Sequence, residues 1–283
     1  MENRPANRTN YHSHCSFCDG KAPMEEFIKE AIRQGFSAYG ISSHAPLPFG
    51  TAWTLDRNRV EEYLAEISRL KKLYSDRIEI YAGMEIDYLD ETSHPASPYF
   101  QNLPLDYRIG SVHLMRDDNG AFVDIDTRPE VFAERLREHF GNDLGRLVQN
   151  YFAKLMHMVD TGGFDMVGHA DKLYINAEHC QPGITARTWY KEIIRAYFER
   201  IARKGLMVEI NTKKFESAGC FSPSIEHFAL LKELEIPVVV DSDAHIPLAV
   251  DSGRKEALCA LKNAGFTHVM ELHDGAWQET AIG

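Results

Sequence analysis

A recurring unit of amphipathic helix, glycine and short apolar run limits what this chain can fold into more than any other feature. Met24, Phe27, Ile28, Ala31 and Ile32 fall at i, i+3, i+4, i+7 and i+8, the stripe of a helix with one buried face, and Gly35 is placed to end it. Residues 36–42 then read as a strand. The same punctuation returns where Gly163 precedes 164–168, Gly205 precedes 206–210 and Gly265 precedes 266–270. Val60, Tyr63, Leu64, Ile67, Leu70 and Tyr74 mark another helix with Asp56 placed to cap it, and Ser222-Pro223 is placed to open one through Ile225, Phe228 and Leu231. Further strands are expected at 9–13, 78–86, 107–112 and 237–240. Several of these runs are apolar without alternation, which suits parallel strands covered on both faces. A βαβα order with about seven strands argues for an α/β barrel over a doubly wound sheet.

Two stretches break the rhythm. Residues 88–106 carry Pro95, Pro98 and Pro104 without a clear period, and 114–142 are charged before a helical pattern resumes near 144–159. Both read as loop insertions over one mouth of the barrel. No linker separates the rest, so residues 1–283 are expected to form a single domain.

Lysine and arginine number 31 against 42 aspartates and glutamates, a formal charge of −11, and such a surface gives little purchase on a phosphate backbone. Nucleic acid is therefore not expected as a partner. Residues 1–10 are polar and no apolar run approaches the roughly 20 residues of a membrane span, so a soluble, cytoplasmic protein is expected. Five scattered cysteines, Cys15, Cys18, Cys180, Cys220 and Cys259, make no disulfide framework. Cys15-x-x-Cys18 has no second such pair to complete a four-thiolate zinc site.

If 9–13 is extended, His12 and His14 point the same way and can meet one metal ion. Alone, the pair is equally what two solvated imidazoles look like. The other strand ends change that reading. His44 follows the second strand, Glu85 ends the third, His113 follows the fourth, His169 follows the fifth, and Asp243 and His245 follow the seventh. In a parallel barrel these positions converge on the C-terminal mouth, where such folds assemble active sites. Singly, His113 and His169 could be core histidines, Glu85 a solvated carboxylate, Asp243 a turn cap, and Asp19 before Gly20 a turn residue. Together they require cations or one another, because imidazoles and carboxylates turned inward cannot stay unpaired.

These residues resemble the motifs of the PHP superfamily (polymerase and histidinol phosphatase), in its histidinol-phosphate phosphatase branch. The resemblance rests on His12-Ser13-His14 with Asp19-Gly20, His44, Gly83-Met84-Glu85-Ile86-Asp87 and Gly110-Ser111-Val112-His113. It continues through Gly168-His169-Ala170-Asp171, Glu209-Ile210-Asn211-Thr212 and Ser242-Asp243-Ala244-His245, in family order over residues 12–245. It implies a distorted (β/α)7 barrel and three divalent metal ions, zinc, iron or manganese. By that likeness His12, His14, Glu85 and Asp243 would hold the first ion. Glu85 would bridge to a second held by His113 and His169, and Asp19, His44 and His245 would hold the third. Cys15 and Cys18 stand where hydroxyl residues are commoner. Lys213-Lys214-Phe215 stands where a glycine-rich stretch with an arginine is expected.

The implied chemistry is hydrolysis of a small phosphorylated substrate, histidinol phosphate, by hydroxide, with no serine or cysteine nucleophile. Lys172, Lys213 or Lys214 is expected to steady a phosphate oxygen. Glu85 is the bridging carboxylate, and Asp243 or His245, or a water, delivers the proton to the leaving group. Rival readings are a phosphatase of the same family acting on nucleotides or phosphotyrosine, an amidohydrolase, and a metal-stabilised structural module. The amidohydrolases bridge two metals with a modified lysine where this chain has Glu85 and His113. The oligomeric state is not legible in the sequence.

Overall fold

A computed structural model of the chain describes residues 6–283; the first half of the polar 1–10 stretch lies outside them. The chain opens with β1 (Thr9–Asn10), α1 (Met24–Arg33) and β2 (Ala38–Ile41), then runs through α2 (Val60–Leu73) to β3 (Glu79–Ala82) and β4 (Glu85–Asp87). The short α3 (Pro98–Gln101) leads to β5 (Ile109–Ser111), the hairpin of β6 (Leu114–Arg116) and β7 (Phe122–Asp124), α4 (Pro129–His139) and α5 (Leu144–Thr161). Next come β8 (Met166–Val167), α6 (Leu173–Cys180), α7 (Thr188–Lys204), β9 (Met207–Asn211), α8 (Phe215–Ala218) and α9 (Phe228–Glu233). The chain finishes with β10 (Val238–Asp241), α10 (Arg254–Asn263) and the hairpin of β11 (His268–His273) and β12 (Ala276–Ala281).

This is a mixed α/β fold with parallel central strands, one set ordered β1-β2-β3 and the other β10-β9-β8-β5-β4. Parallel bridges join the sets at both junctions, His44 to Glu85 and Ser13 to Ala244, the latter with His14 N–H donating to Ala244 O at 2.8 Å. The strand ends that carry the histidines are thus the ends at which the two sets meet.

The glycine punctuation has a visible cause. Gly205 takes φ 64°, its N–H returns to Ala202 O, and Leu206 N–H returns to Ile201 O, which closes α7 with two crossed bonds and aims the chain into β9. The same pair of bonds closes α1 at Gly35 and α10 at Gly265.

Several expectations are corrected. The fourth unit does not add a parallel strand, because after Gly265 the chain enters β11, which pairs antiparallel with β12. The α5 helix ends at Gly162, one residue before the glycine expected to stop it. The 78–86 run is broken at Gly83-Met84 into β3 and β4. The helix through Ile225, Phe228 and Leu231 is present, a 3-10 turn at Ile225–His227 running into α9, but Ser224 caps it, while Ser222 pairs with Asn211. The 114–142 stretch is not a loop, since Phe132 and Leu136 on α4 and Val123 on β7 bury into the largest core cluster.

That cluster packs α4, α5, α6 and α7 against β8, β9 and β10; a second packs α1 and α2 against β2, β3 and β4. A third, Tyr11, Ala38, Tyr81, Tyr107, Ile109, Met166, Met207, Val239 and Leu272, plugs the space between the strands. Tyr107 is its centre: its hydroxyl donates to Tyr11 O at 2.5 Å, and its ring lies so close to the backbone that a Cβ on Gly83 would sit 2.2 Å from it. This close approach explains why β3 and β4 part at a glycine. Gly83→Ala is expected to lower stability by about 1–3 kcal/mol through overpacking, read as a lower urea midpoint at unchanged slope. A midpoint equal to that of the parent would show that Tyr107 moves aside at no cost.

Among the described residues no helix is long and apolar enough to cross a membrane.

Candidate metal centre

Every strand end picked out from the sequence delivers its side chain to one place. Glu85, at the start of β4, is 1% exposed and is faced by five imidazoles. His44 Nδ1 and His169 Nε2 lie 2.8 Å from its oxygens, His12 Nε2 3.2 Å, His113 Nε2 3.4 Å and His14 Nε2 3.6 Å. Asp243 Oδ1 lies 3.1 Å from His14 Nε2, 3.4 Å from His245 Nδ1 and 3.8 Å from His12 Nε2. Asp19 closes the outer side, 3.3 Å from His245 Nε2 and 3.9 Å from both His44 Nε2 and His14 Nδ1. Three donor groups result whose ligand atoms fall within 4.8 Å of one another: His14, Asp19, His44 and His245; His12, His14 and Asp243; and His44, Glu85 and His113.

The hydrogen-bond inventory shows what such a cluster lacks. The Nε2 atoms of His12, His14 and His113, the Nδ1 of His44, Glu85 Oε2 and Asp19 Oδ1 are all buried without a hydrogen-bond partner. Buried polar atoms are rarely left so, and six in one cluster are a set of lone pairs arranged for cations. Without ions the charges offset each other. Burial opposes the charge on Glu85, but His44, His12 and His113 outweigh it and hold its carboxyl well below the usual range. Burial likewise opposes charge on His113, yet Asp87 and Glu85 push it up to about 9. His14, buried and beside His245 and His44, is pushed the other way and stays neutral.

Two orienting carboxylates were not picked out from the sequence as site residues. Asp87 Oδ1 and Oδ2 lie 3.1 and 3.0 Å from His113 Nδ1, and Glu209 Oε1 lies 2.5 Å from His12 Nδ1, so each imidazole turns its Nε2 inward. Strand alternation could have flagged Asp87, two residues from Glu85 on the same face.

A cavity of about 220 Å³ opens over the cluster, lined by Asp19, His44, Trp53, His113, Asp124, Asp126, Lys213 and His245. Of the three lysines expected to meet a phosphate, Lys213 lies here, its Nζ 3.2 Å from Asp243 Oδ1. Lys172 is held by Asp126 at 2.5 Å. Lys214 is exposed and does not line the cavity. Trp53 stands edge-on to His44 at 4.8 Å and to His113 at 5.6 Å, and nothing in the sequence singled it out. Cys18 Sγ lies 3.5 Å from His14 Nδ1, while burial pushes the Cys15 thiol up to about 12 and leaves it inert.

Comparison with known proteins places this geometry in company. The family model of the PHP domain matches residues 10–213. A protein of Deinococcus radiodurans named "Probable histidinol-phosphatase" is 27% identical over 266 residues, covering 90% of this chain and 92% of its own. The histidinol-phosphatase of Bacillus subtilis is 25% identical over 259 residues, covering 83% of this chain and 92% of its own. Among solved structures, the histidinol phosphate phosphatase of Lactococcus lactis, complexed with zinc, L-histidinol and phosphate, superposes with a TM-score of 0.67. It is 20% identical and the match covers 95% of this chain and 98% of that one.

Proposed function

The chain belongs to the PHP domain family, and from that premise we propose that it is a metal-dependent phosphomonoesterase that hydrolyses L-histidinol phosphate to L-histidinol and phosphate. It is read as a cytoplasmic enzyme of one domain, residues 1–283, built as a distorted (β/α)7 barrel with 88–106 and 114–142 at its mouth. The bridges between the two parallel sets support the barrel, with β3 and β4 taken as one interrupted strand.

The observation that carries the reading is the convergence of five imidazoles on Glu85 with their inward nitrogens lacking hydrogen-bond partners. That donor set suits three divalent cations, zinc, iron or manganese. His12, His14, Glu85 and Asp243 would hold the first; Glu85 with His113 and His169 the second; Asp19, His44 and His245 the third. When bound, such cations offset the phosphate's charge and activate water for attack on phosphorus.

The chain's own residues do the rest. Lys213, on the cavity wall beside Asp243, steadies a phosphate oxygen, and Lys172 acts from further back through its pair with Asp126. The departing alkoxide, otherwise a strong base, takes its proton through His245 or a water, since Asp243 is held as a carboxylate well below the usual range and has no proton to give. Asp124 and Asp126 receive the ammonium of the substrate, and the edge of the cavity at Trp53 receives its imidazole.

The test is metal content of the purified protein together with turnover of histidinol phosphate, a nucleoside monophosphate and a phosphotyrosine peptide. Bound divalent metal and a kcat/KM for histidinol phosphate on the order of 100-fold above the others are expected. Equal turnover of the phosphotyrosine peptide would overturn the substrate, and absence of metal would overturn the mechanism.

A further inference from the structure

Glu209 and Asn211 occupy alternate positions of β9, so both side chains face the same side of the strands, and neither lines the cavity. We propose that they are positioning residues, a fixed frame on one strand that sets the aim of three ligands supplied by other parts of the chain. This rests on the metal-dependent reading above and adds residues to it that touch neither cation nor substrate.

Four hydrogen bonds make the frame, and a fifth fixes its sense. Glu209 Oε1 takes His12 Nδ1–H at 2.5 Å, and its Oε2 accepts the His169 backbone N–H at 2.6 Å. Asn211 Nδ2 donates to Glu209 Oε2 and to Asp243 Oδ2, both at 3.2 Å. Its Oδ1 accepts Lys213 N–H at 3.0 Å, which fixes the sense of the amide, since the reverse orientation would face an oxygen toward two carboxylates.

Each bond settles a degree of freedom that matters to a ligand. With Nδ1 carrying the proton toward Glu209, the lone pair of His12 sits on Nε2, the atom that faces Glu85 at 3.2 Å and has no hydrogen-bond partner. His169 and Asp243 are two of the few non-glycine residues in the left-handed region, at φ 27° and 47°. Such backbone persists only where surrounding contacts over-determine it, and Glu209 and Asn211 supply those contacts. Glu209 is fully buried, 0% exposed, and its ion pair among the described residues is with His12.

The experiment is a titration of metal-free wild type, Glu209→Gln and Asn211→Leu with zinc in competition with a chromophoric chelator, beside kcat and KM of the reloaded enzymes. Glutamine keeps the size and can still accept from His169, but its amide nitrogen faces His12 and selects the wrong tautomer. The expected result for Glu209→Gln is a 10- to 100-fold weaker zinc affinity at one site and a fall in kcat of similar size, with KM within about twofold. Asn211→Leu is expected to weaken zinc about tenfold with the melting temperature of the metal-free protein little changed. Parental zinc affinity in both variants would overturn the proposal, as would a loss confined to the melting temperature. Should Glu209→Gln not fold, Asn211→Leu alone decides by the same two readouts. Wild type that binds no zinc would overturn the metal-dependent reading itself, and this frame with it.

Discussion

Glu85→Gln is expected to keep its fold and lose on the order of 99.9% of its turnover, together with much of its bound metal. Glutamine has nearly the volume of glutamate, and the side chain is 1% exposed in a pocket shaped by His12, His14, His44, His113 and His169, so packing is preserved. Ser111 Oγ, which donates to Glu85 Oε1 at 2.7 Å, can donate equally to an amide oxygen. What disappears is the one negative charge that all five imidazoles share, and with it the group proposed to bridge two cations. A Lewis-acid pair is worth several kcal/mol of transition-state stabilisation, and about 4 kcal/mol is a thousandfold in rate. The variant also places an NH2 against nitrogens that must offer lone pairs, so metal content should fall with turnover. Circular dichroism, metal analysis and kcat on the same preparation are the measurements. Full turnover with full metal content would show that Glu85 is a bystander.

Much of this centre was legible in the sequence because its residues sit at strand ends, and strand ends were marked by glycine stops and apolar runs. His44, His113 and His169 each stand two or three residues past the end of such a strand, so their convergence followed from topology. Glu209 and Asp87 escaped because their partners, His12 and His113, are 197 and 26 residues away, and Glu209 in addition lies inside β9, where an acidic residue reads as a strand-edge side chain. Trp53 and Asp124 reach the cavity from segments whose course depends on tertiary contacts such as the stacking of Phe49 on Phe122, 5.2 Å between centroids, which no local pattern encodes. The 114–142 stretch was missed as structure because its buried set is sparse. Phe132 and Leu136 are the only residues of α4 that bury, and charge elsewhere on the helix masks its period. Lys214, beside Lys213 in sequence, points elsewhere because the chain turns there, between the end of β9 at Asn211 and the start of α8 at Phe215.

Removing the metal is the second large effect, and its pH dependence follows from the charge pattern around Glu85. Chelation should take activity to background and addition of zinc, iron(II) or manganese should restore it, because no serine or cysteine stands ready as an alternative nucleophile in the cavity. The metal-free protein should remain folded, since charged His12 and His113 then offset Glu85, Asp243 and Asp87. It should still melt roughly 10 °C lower than protein with metal at a thousand times Kd, because such binding adds about 4 kcal/mol and a chain of this size shifts by about 2–4 °C per kcal/mol. His113 is ordinarily half-protonated at 6.5 and here is raised to about 9, so its stabilising charge in the metal-free fold is complete below the lower value and is lost as pH climbs through the higher. A cation must displace that proton to reach Nε2. Apparent zinc affinity should therefore rise from pH 7 to about 9, with proton release on binding at pH 7.5 measurable by calorimetry in two buffers of different ionisation enthalpy. Zinc affinity that is flat between pH 7 and 9 would mean that binding displaces no proton from His113, and would overturn the reading of His113 as a charged group that the cation must deprotonate.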